Sequence, residues 1–456
     1  MSMRKFPWRI AVSICLVAGS ATLGGRSVAH ADQIPAGWEA SNMRPIGYSD
    51  LDGRGGAFKM AIKQTNGHWY LYLGHLWNNG WSIVDVTDPA KPTVAKFIPG
   101  PKNTRTAQIV LDGDIMLTGL EMPNSGSNMD PNAPFEEGVL VWDISDPLNP
   151  KLLSHWKSGG AGTHRNGYPG GRYAYLSANM PGYKGNILVV LDISDPKNPR
   201  EAGRWWLPGQ ENGGGPPVER NSDEAHHWMF HGPPMLDGNI AYLGYGPAVL
   251  VLDVSDASNF KVLGRLDLSP PFNVPGIALH DVLPIPGKHL LFANSEAAGG
   301  DAPNTFTCTA GLPLVAMIDI KDPTKPRLMS VFPTPVPPRG APYTDFCDKG
   351  GRFGPHNTNL EQHLPDVEKQ ANLIYLTYFN AGLRIFDIED PRLPKEVGWF
   401  IPPAPTERLG PVPWKLVNQT EVVLVDTRGN IFIDDKQWGL FVLRYDGKGQ
   451  PAPTAK

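Results

Sequence analysis

One phrase recurs along the chain: an apolar run, an Asp, two residues and then a second Asp, usually followed by Pro. It reads IVDVTDPAKP (83–92), VWDISDPLNP (141–150), VLDISDPKNP (190–199), VLDVSDASNF (251–260), MIDIKDPTKP (317–326) and IFDIEDPRLP (385–394). A repeat constrains the fold before any other signal, because each copy must build the same unit and stack on its neighbours. The leading aspartates, Asp85, Asp143, Asp192, Asp253, Asp319 and Asp387, are separated by 58, 49, 61, 66 and 68 residues. Around each copy the pattern is strand-like. In IAYLGYGPAVLVLDVSDASNFKVLG (240–264) an alternating strand meets a turn, a continuous apolar strand, an Asp-rich turn and another strand. A continuous apolar strand is buried on both faces, and the Asp and Pro residues supply turn chemistry. With a further strand before the turn MLDGN, each unit has four strands.

Four strands repeated at this period predict an all-β fold, a seven-bladed β-propeller of four-stranded antiparallel blades. Six units are complete. The seventh, VVLVDTRGNIFIDDKQWGLFVLRY (422–445), lacks its outer strand, and MRPIGYSDL (43–51) is an outer strand with nothing before it. The N-terminal strand is therefore expected to close the ring. The content of 50 Gly and 47 Pro in 456 residues suits many short strands joined by turns.

The apolar pentapeptides WSIVD (81–85), VLVWD (139–143), LVVLD (188–192), VLVLD (249–253), VAMID (315–319) and LRIFD (383–387) resemble the LVIVD-repeat family of β-propeller proteins. LFVLR (440–444) departs at its last residue. The resemblance covers roughly residues 37 to 446 and implies a fold; it implies no particular activity, since function resides in sites grafted on folds.

Residues 1–31 read as a signal peptide: Arg4, Lys5 and Arg9 precede a mainly apolar stretch, Ile10 to Leu23, and Ala29-His30-Ala31 gives an A-x-A cleavage site. The expected organisation is a leader over 1–31, one propeller over 32–446 and a disordered tail over 447–456, in a periplasmic or secreted protein. The apolar stretch is too short for a membrane anchor, and no second candidate span follows. Removing Arg4, Lys5, Arg9 and Arg26 takes the formal charge from −4 to −8, which argues against nucleic acid as a partner. Cys308 and Cys347 survive cleavage, and a disulfide between them is expected in an oxidising compartment.

In a propeller the long loops here fall on one face: 121–138, 208–228, 294–313, 333–356 and 402–419. Long loops in a compact domain are where binding and catalysis concentrate. Where strand A of four successive blades begins, the sequence has THRNGY, MFHGPP, ALHDVL and GPHNTN, placing His164, His231, His280 and His356 in one register. Glu421 holds that position in the closing blade, and Lys59 and Gln108 stand nearest to it in the first two. His227, just before His231, is an alternative to it. Converging neutral imidazoles suit Fe, Cu, Zn or Ni; Glu421 then reads as a fifth ligand or catalytic base. Lys59, Gln108, His75, His227, Trp228 and Tyr343 are candidate substrate contacts. Two other readings stay open: histidines inherited by duplication as hydrogen-bonded structural residues, and a metal-free polar site. The expected partner is a small organic substrate or, for a non-catalytic propeller, a protein or glycan on the looped face.

Overall fold

The six repeat phrases form strands that each end on the leading aspartate: Gly80–Asp85, Gly138–Asp143, Asn186–Asp192, Ala248–Asp253, Val315–Asp319 and Leu383–Asp387. At each end the carboxylate accepts a backbone N–H two residues on, as from Thr87 to Asp85 (2.9 Å) and from Ser255 to Asp253 (2.9 Å). The second aspartate repeats the device, with Asp88 accepting from Ala90 and Asp322 from Thr324. Two successive side-chain-closed turns thus stop the strand and send the chain back.

The computed structural model describes residues 32–124, 127, 129–213, 230–269, 279–296 and 314–448. They form an all-β, β-propeller-like fold of antiparallel four-stranded units, with one short helix, Phe346–Lys349, among the described residues. Two units show the pattern cleanly. Met235–Asp237, Ile240–Tyr245, Ala248–Asp253 and Lys261–Asp267 pair in that order, as do Leu279–Ile285, Leu290–Ser295, Val315–Asp319 and Arg327–Val331. The central strand explains the apolar run. Val249 and Val251 pack with Leu291, Ala316 and Ile318 of the next unit, while Leu250 and Leu252 pack with Leu188 and Val190 of the preceding one. Each sheet is sandwiched by neighbours, so both faces must be apolar.

The Asp-Pro turn also docks one unit on the next. Gly203 and Gly264, in outer strands, lie so close to the Ala257 and Pro323 carbonyls of the following unit's turn that a Cβ would collide with them. Where the outer strand carries serine instead, its hydroxyl donates to the same turn: Ser154 to Pro196 O (2.7 Å) and Ser330 to Pro391 O (2.6 Å). The repeat therefore encodes both a turn and an inter-sheet contact.

The N-terminal strand finds the partner that the sequence predicts, the last strand of the chain. Met43–Ser49 pairs antiparallel with Gly439–Tyr445, from Met43 opposite Tyr445 to Ser49 opposite Leu440. A second N-terminal strand, Glu39–Ser41, was not foreseen; it adds to the outer edge of Lys395–Ile401. The insertion at 360–372 lies across other units. Asp366 accepts from Gln64 N (2.7 Å), His363 Nε2 meets Leu111 O (3.0 Å) and Glu368 N donates to Val425 O (2.9 Å).

Among the described residues no helix is long and apolar enough to cross a membrane. Residues 1–31 and 449–456, His227, Trp228 and Cys308 lie outside the described residues.

Candidate metal centre

Each of the four histidines lies on the segment that runs along the inner edge of its unit, and His280 alone falls within an assigned strand, Leu279–Ile285. His164 N donates to Ser177 O (2.8 Å) and His356 N to Thr377 O (2.9 Å), the same contact in two units. His280 is the extra residue of a β-bulge between Leu279 and Asp281, which turns its side chain out of the strand's alternation. Glu421 is the matching bulge residue between Thr420 and Val422.

The structure brings His164, His231, His280 and His356 together in one arc. Ring centroids are 4.7 Å apart for His164 and His231, 4.5 Å for His231 and His280, and 4.5 Å for His280 and His356. All four are buried. His164 Nε2 is 3.2 Å from His231 Nε2. Two nitrogens about 2.1 Å from one ion, at angles between octahedral and tetrahedral, stand about 3.0–3.4 Å apart, so this spacing fits a shared ligand. Glu296 faces the same atoms. Its Oε2 is 3.5 Å from His231 Nε2 and 3.9 Å from His280 Nε2, and its Oε1 is 3.7 Å from His356 Nε2. His231, His280 and Glu296 form a cluster whose ligand atoms could hold one ion.

The other ring nitrogens are engaged from behind. His164 Nδ1 is 3.1 Å from the Glu121 carboxylate and His280 Nδ1 is 2.9 Å from that of Asp281, while His356 Nδ1 meets the Glu421 main-chain carbonyl at 2.7 Å, with the Glu421 carboxylate at 3.3 Å. His231 Nδ1 faces Arg165 at 3.4 Å, and the same guanidinium nitrogen is 3.2 Å from His280 Nδ1. Every carboxylate also meets a cation: Glu121 with Arg105 (2.5 Å), Asp281 with Arg165 (2.6 Å), Glu296 with Arg352 (2.5 Å) and Glu421 with Lys436 (2.8 Å).

These pairs set the protonation states. Burial would raise the Glu296 carboxyl, but Arg352, His356 and His280 outweigh it and hold the group well below its usual range. Asp281 is likewise pushed up by burial and pulled further down by Arg165 and His280. Burial lowers His280, helped by Arg165, and lowers His356 strongly, helped by His280. The imidazoles of His280 and His356 are thus pushed towards the neutral form, which keeps the lone pair that a transition metal requires.

One layer below, Arg165 ties the histidine segments together. It donates to Gly232 O (2.7 Å), His280 O (2.7 Å), Asp281 (2.6 Å) and Asn357 Oδ1 (2.9 Å). Each partner immediately follows a histidine or is its own carbonyl.

Other sequence candidates fall elsewhere. The strand bulges displace the expected register: counting from the paired residues Ala57–His75 and Arg105–Glu121, Phe58 and Thr106 hold the histidine position, not Lys59 and Gln108. Phe58 packs edge-on against His356, 5.6 Å between centroids. Lys59 pairs with Glu361 in the insertion (2.6 Å), and Gln108 is buried. His75 is a hydrogen-bonded core residue, its Nε2 2.8 Å from Ser82 Oγ, and burial lowers its pKa to about 4. Tyr343 packs on Phe346 of the short helix (5.6 Å). Glu421 stands behind His356 rather than facing the converged nitrogens, and Glu296 takes that place. Sequence reasoning missed Glu121, Glu296, Arg165, Asp281 and Asn357. Three of these were signalled by the residue after each histidine: His-Arg, His-Asp and His-Asn in three of the four copies.

The fold and site define a β-propeller-like repeat protein with a buried histidine–carboxylate centre. The LVIVD repeat family model matches residues 69–97 and 171–205, and the chain carries this repeat. Among solved structures it is similar to a protein from Lactobacillus plantarum, at 14% identity over 86% of this chain and 96% of that one, TM-score 0.48. It is also similar to a functionally unknown protein from Desulfotomaculum acetoxidans (12%, 75% and 84%, TM-score 0.45). A third is the computationally designed Ika8 protein (8%, 85% and 96%, TM-score 0.44). No curated protein matches by sequence.

Proposed function

We propose that the protein is an exported seven-bladed propeller whose four histidines hold a transition metal (Fe, Cu, Zn or Ni) and that it acts as an enzyme on a small organic substrate. One observation carries the metal reading. The Nδ1 atoms of His164 and His280 are each backed by a buried carboxylate and that of His356 by the main-chain carbonyl and carboxylate of Glu421, while the Nε2 atoms converge. Histidine ligands characteristically give their second nitrogen to such a partner, which fixes the tautomer and ring orientation. Purely structural histidines would not need their far nitrogens aligned on one point.

Glu296 is the carboxylate placed to join the ligand set, and Glu421, Glu121 and Asp281 orient the rings. Bound there, a divalent ion would act as a Lewis acid towards a polar substrate group. Because each carboxylate already meets a cation, the ion's charge is largely uncompensated by the site, which favours an anionic group on the substrate. Phe58 and Phe379 flank His356 and supply an apolar wall.

Ring closure is supported by the Met43–Ser49 strand and by Gly47, which abuts the Pro89 carbonyl of the first repeat turn as Gly203 and Gly264 abut theirs. Export rests on the leader-like sequence of residues 1–31. In that setting Cys308 and Cys347 form a disulfide. Mass mapping of unreduced peptides from periplasm-expressed protein should recover the linked pair, and two alkylatable thiols would refute it.

The orienting carboxylates test the centre. Glu121→Gln and Glu421→Gln should each weaken metal affinity by about 10–100-fold while leaving the fold intact, measured by competition with a chromogenic chelator. Unchanged affinity in both variants would remove the orienting role.

A further inference from the structure

The segment 360–372 reaches beyond its own unit. Through Asp366, His363 and Glu368 it bonds to the strands Ala57–Thr65 and Arg105–Asp112 and to Val425 at the end of Thr420–Val425. Glu361 adds an ion pair with Lys59, at 2.6 Å. Leu364 and Val367 are buried and pack into the core that holds Ile62, Leu111 and Leu424. Leu360, Gln362 and His363 line a cavity of about 350 Å³ together with Pro234, Leu283 and Pro286. The segment is thus a strap across several units, with a cavity at its near end.

One buried residue of the strap is a carboxylic acid without a cation. Glu368 is only 7% exposed. Its backbone is satisfied: the N–H donates to Val425 O, and the C=O accepts from Asn359 Nδ2 and Gln362 Nε2, both at 3.1 Å. Its carboxyl is not. Oε1 accepts from the Tyr375 hydroxyl at 3.3 Å, and Oε2 is buried with no hydrogen-bond partner among the described residues. The other charged group near it is Asp426, which carries the same sign and is engaged by Arg428 (2.7 Å) and Asn430 (2.9 Å). The strap's Lys369 turns away, to the Gln362 and Leu364 carbonyls, and Glu361, Asp366 and His363 have the partners named above. A buried carboxylate needs a cation or several N–H donors; these surroundings suit the neutral acid instead. Burial raises the carboxyl to about 7, with the Tyr375 hydrogen bond opposing and Asp426 adding to the rise.

We propose that 360–372 is a pH-sensitive strap, held down while the Glu368 carboxyl carries its proton and released when the proton leaves, which opens the cavity beneath its near end. The proposal does not depend on a metal at the histidines. In the released strap Glu368 is solvated and ionises in the usual range, near about 4.3. The held form binds the proton more tightly, so it is fully favoured below that range. It loses ground as the pH rises, by up to about tenfold per pH unit, and the loss is complete above about pH 7.

Hydrogen exchange of the purified protein, read by mass spectrometry and corrected for the intrinsic pH dependence of amide exchange, tests it. Between about pH 5 and about pH 7 the 360–372 amides should exchange at least about tenfold faster, within the roughly hundredfold ceiling that one proton allows over two pH units. The amides of Leu279–Ile285 should not change. Glu368→Gln mimics the neutral acid and should stay held, with a flat profile at the slow rate. His363→Gln should keep the rise, since the strap's imidazole is not the switch. The wild-type profile decides alone if either variant does not fold. A flat wild-type profile overturns the proposal, as does an equal rise in Leu279–Ile285, which would report loss of global stability. An undiminished rise in Glu368→Gln, or its loss in His363→Gln, also overturns it.

Discussion

Replacing Arg165 by Met should destabilise the protein by about 3–5 kcal/mol, the cost of breaking a buried ion pair by removing one partner. Met keeps the apolar stem of Arg and ends short of the guanidinium, so the loss reports chiefly on that group. That group is buried and donates to two carbonyls, a carboxylate and an amide drawn from segments around three different histidines. Without it Asp281 keeps its contact with His280 but loses the cation that holds it ionised, and the Gly232 and His280 carbonyls lose a donor. Denaturant unfolding, with the slope checked for two-state behaviour, measures the cost. A loss below about 1 kcal/mol would show that water replaces the guanidinium, and that Arg165 is not what holds these segments together.

A chain beginning at Arg54 should fail to fold cooperatively. Truncation removes Glu39–Ser41 and Met43–Ser49, which cover the outer edges of Lys395–Ile401 and Gly439–Tyr445. It also removes Met43 and Tyr48 from the core formed with Tyr375, Phe441 and Leu443, and the Gly47 contact with the Pro89 turn. Two long unpaired edges would then invite intermolecular pairing. Calorimetry of the truncated protein should show no sharp transition and scattering should show association. A melting temperature equal to that of the longer chain would contradict closure by this strand.

The parts of this molecule that were legible in the sequence are those that repeat. Six copies of one phrase gave the strands, their double-sided burial and the Asp turns, and the orphaned ends of the chain pointed to the pairing of Met43 with Tyr445. The common register of His164, His231, His280 and His356 was visible because a repeat preserves position. What repeats imperfectly was hidden. A bulge adds one residue without marking the sequence, so Phe58 and Thr106 were passed over for Lys59 and Gln108. Glu121 and Glu296 sit at the far ends of the second strands, where no spacing rule connects them to the histidines. Glu421 was placed in the correct register, yet its side chain lies behind His356, a matter of rotamer and of Lys436 drawing the carboxylate away.

The most direct test of the metal centre is elemental analysis of protein purified without affinity tags that bind metal, before and after reconstitution. Close to one equivalent of Fe, Cu, Zn or Ni is expected per chain, as is its loss in a His280→Ala/His356→Ala variant that retains the wild-type circular dichroism spectrum. Protein that is metal-free as isolated and takes up none of these ions on reconstitution would contradict the metal centre and leave the four histidines as structural residues of a binding propeller.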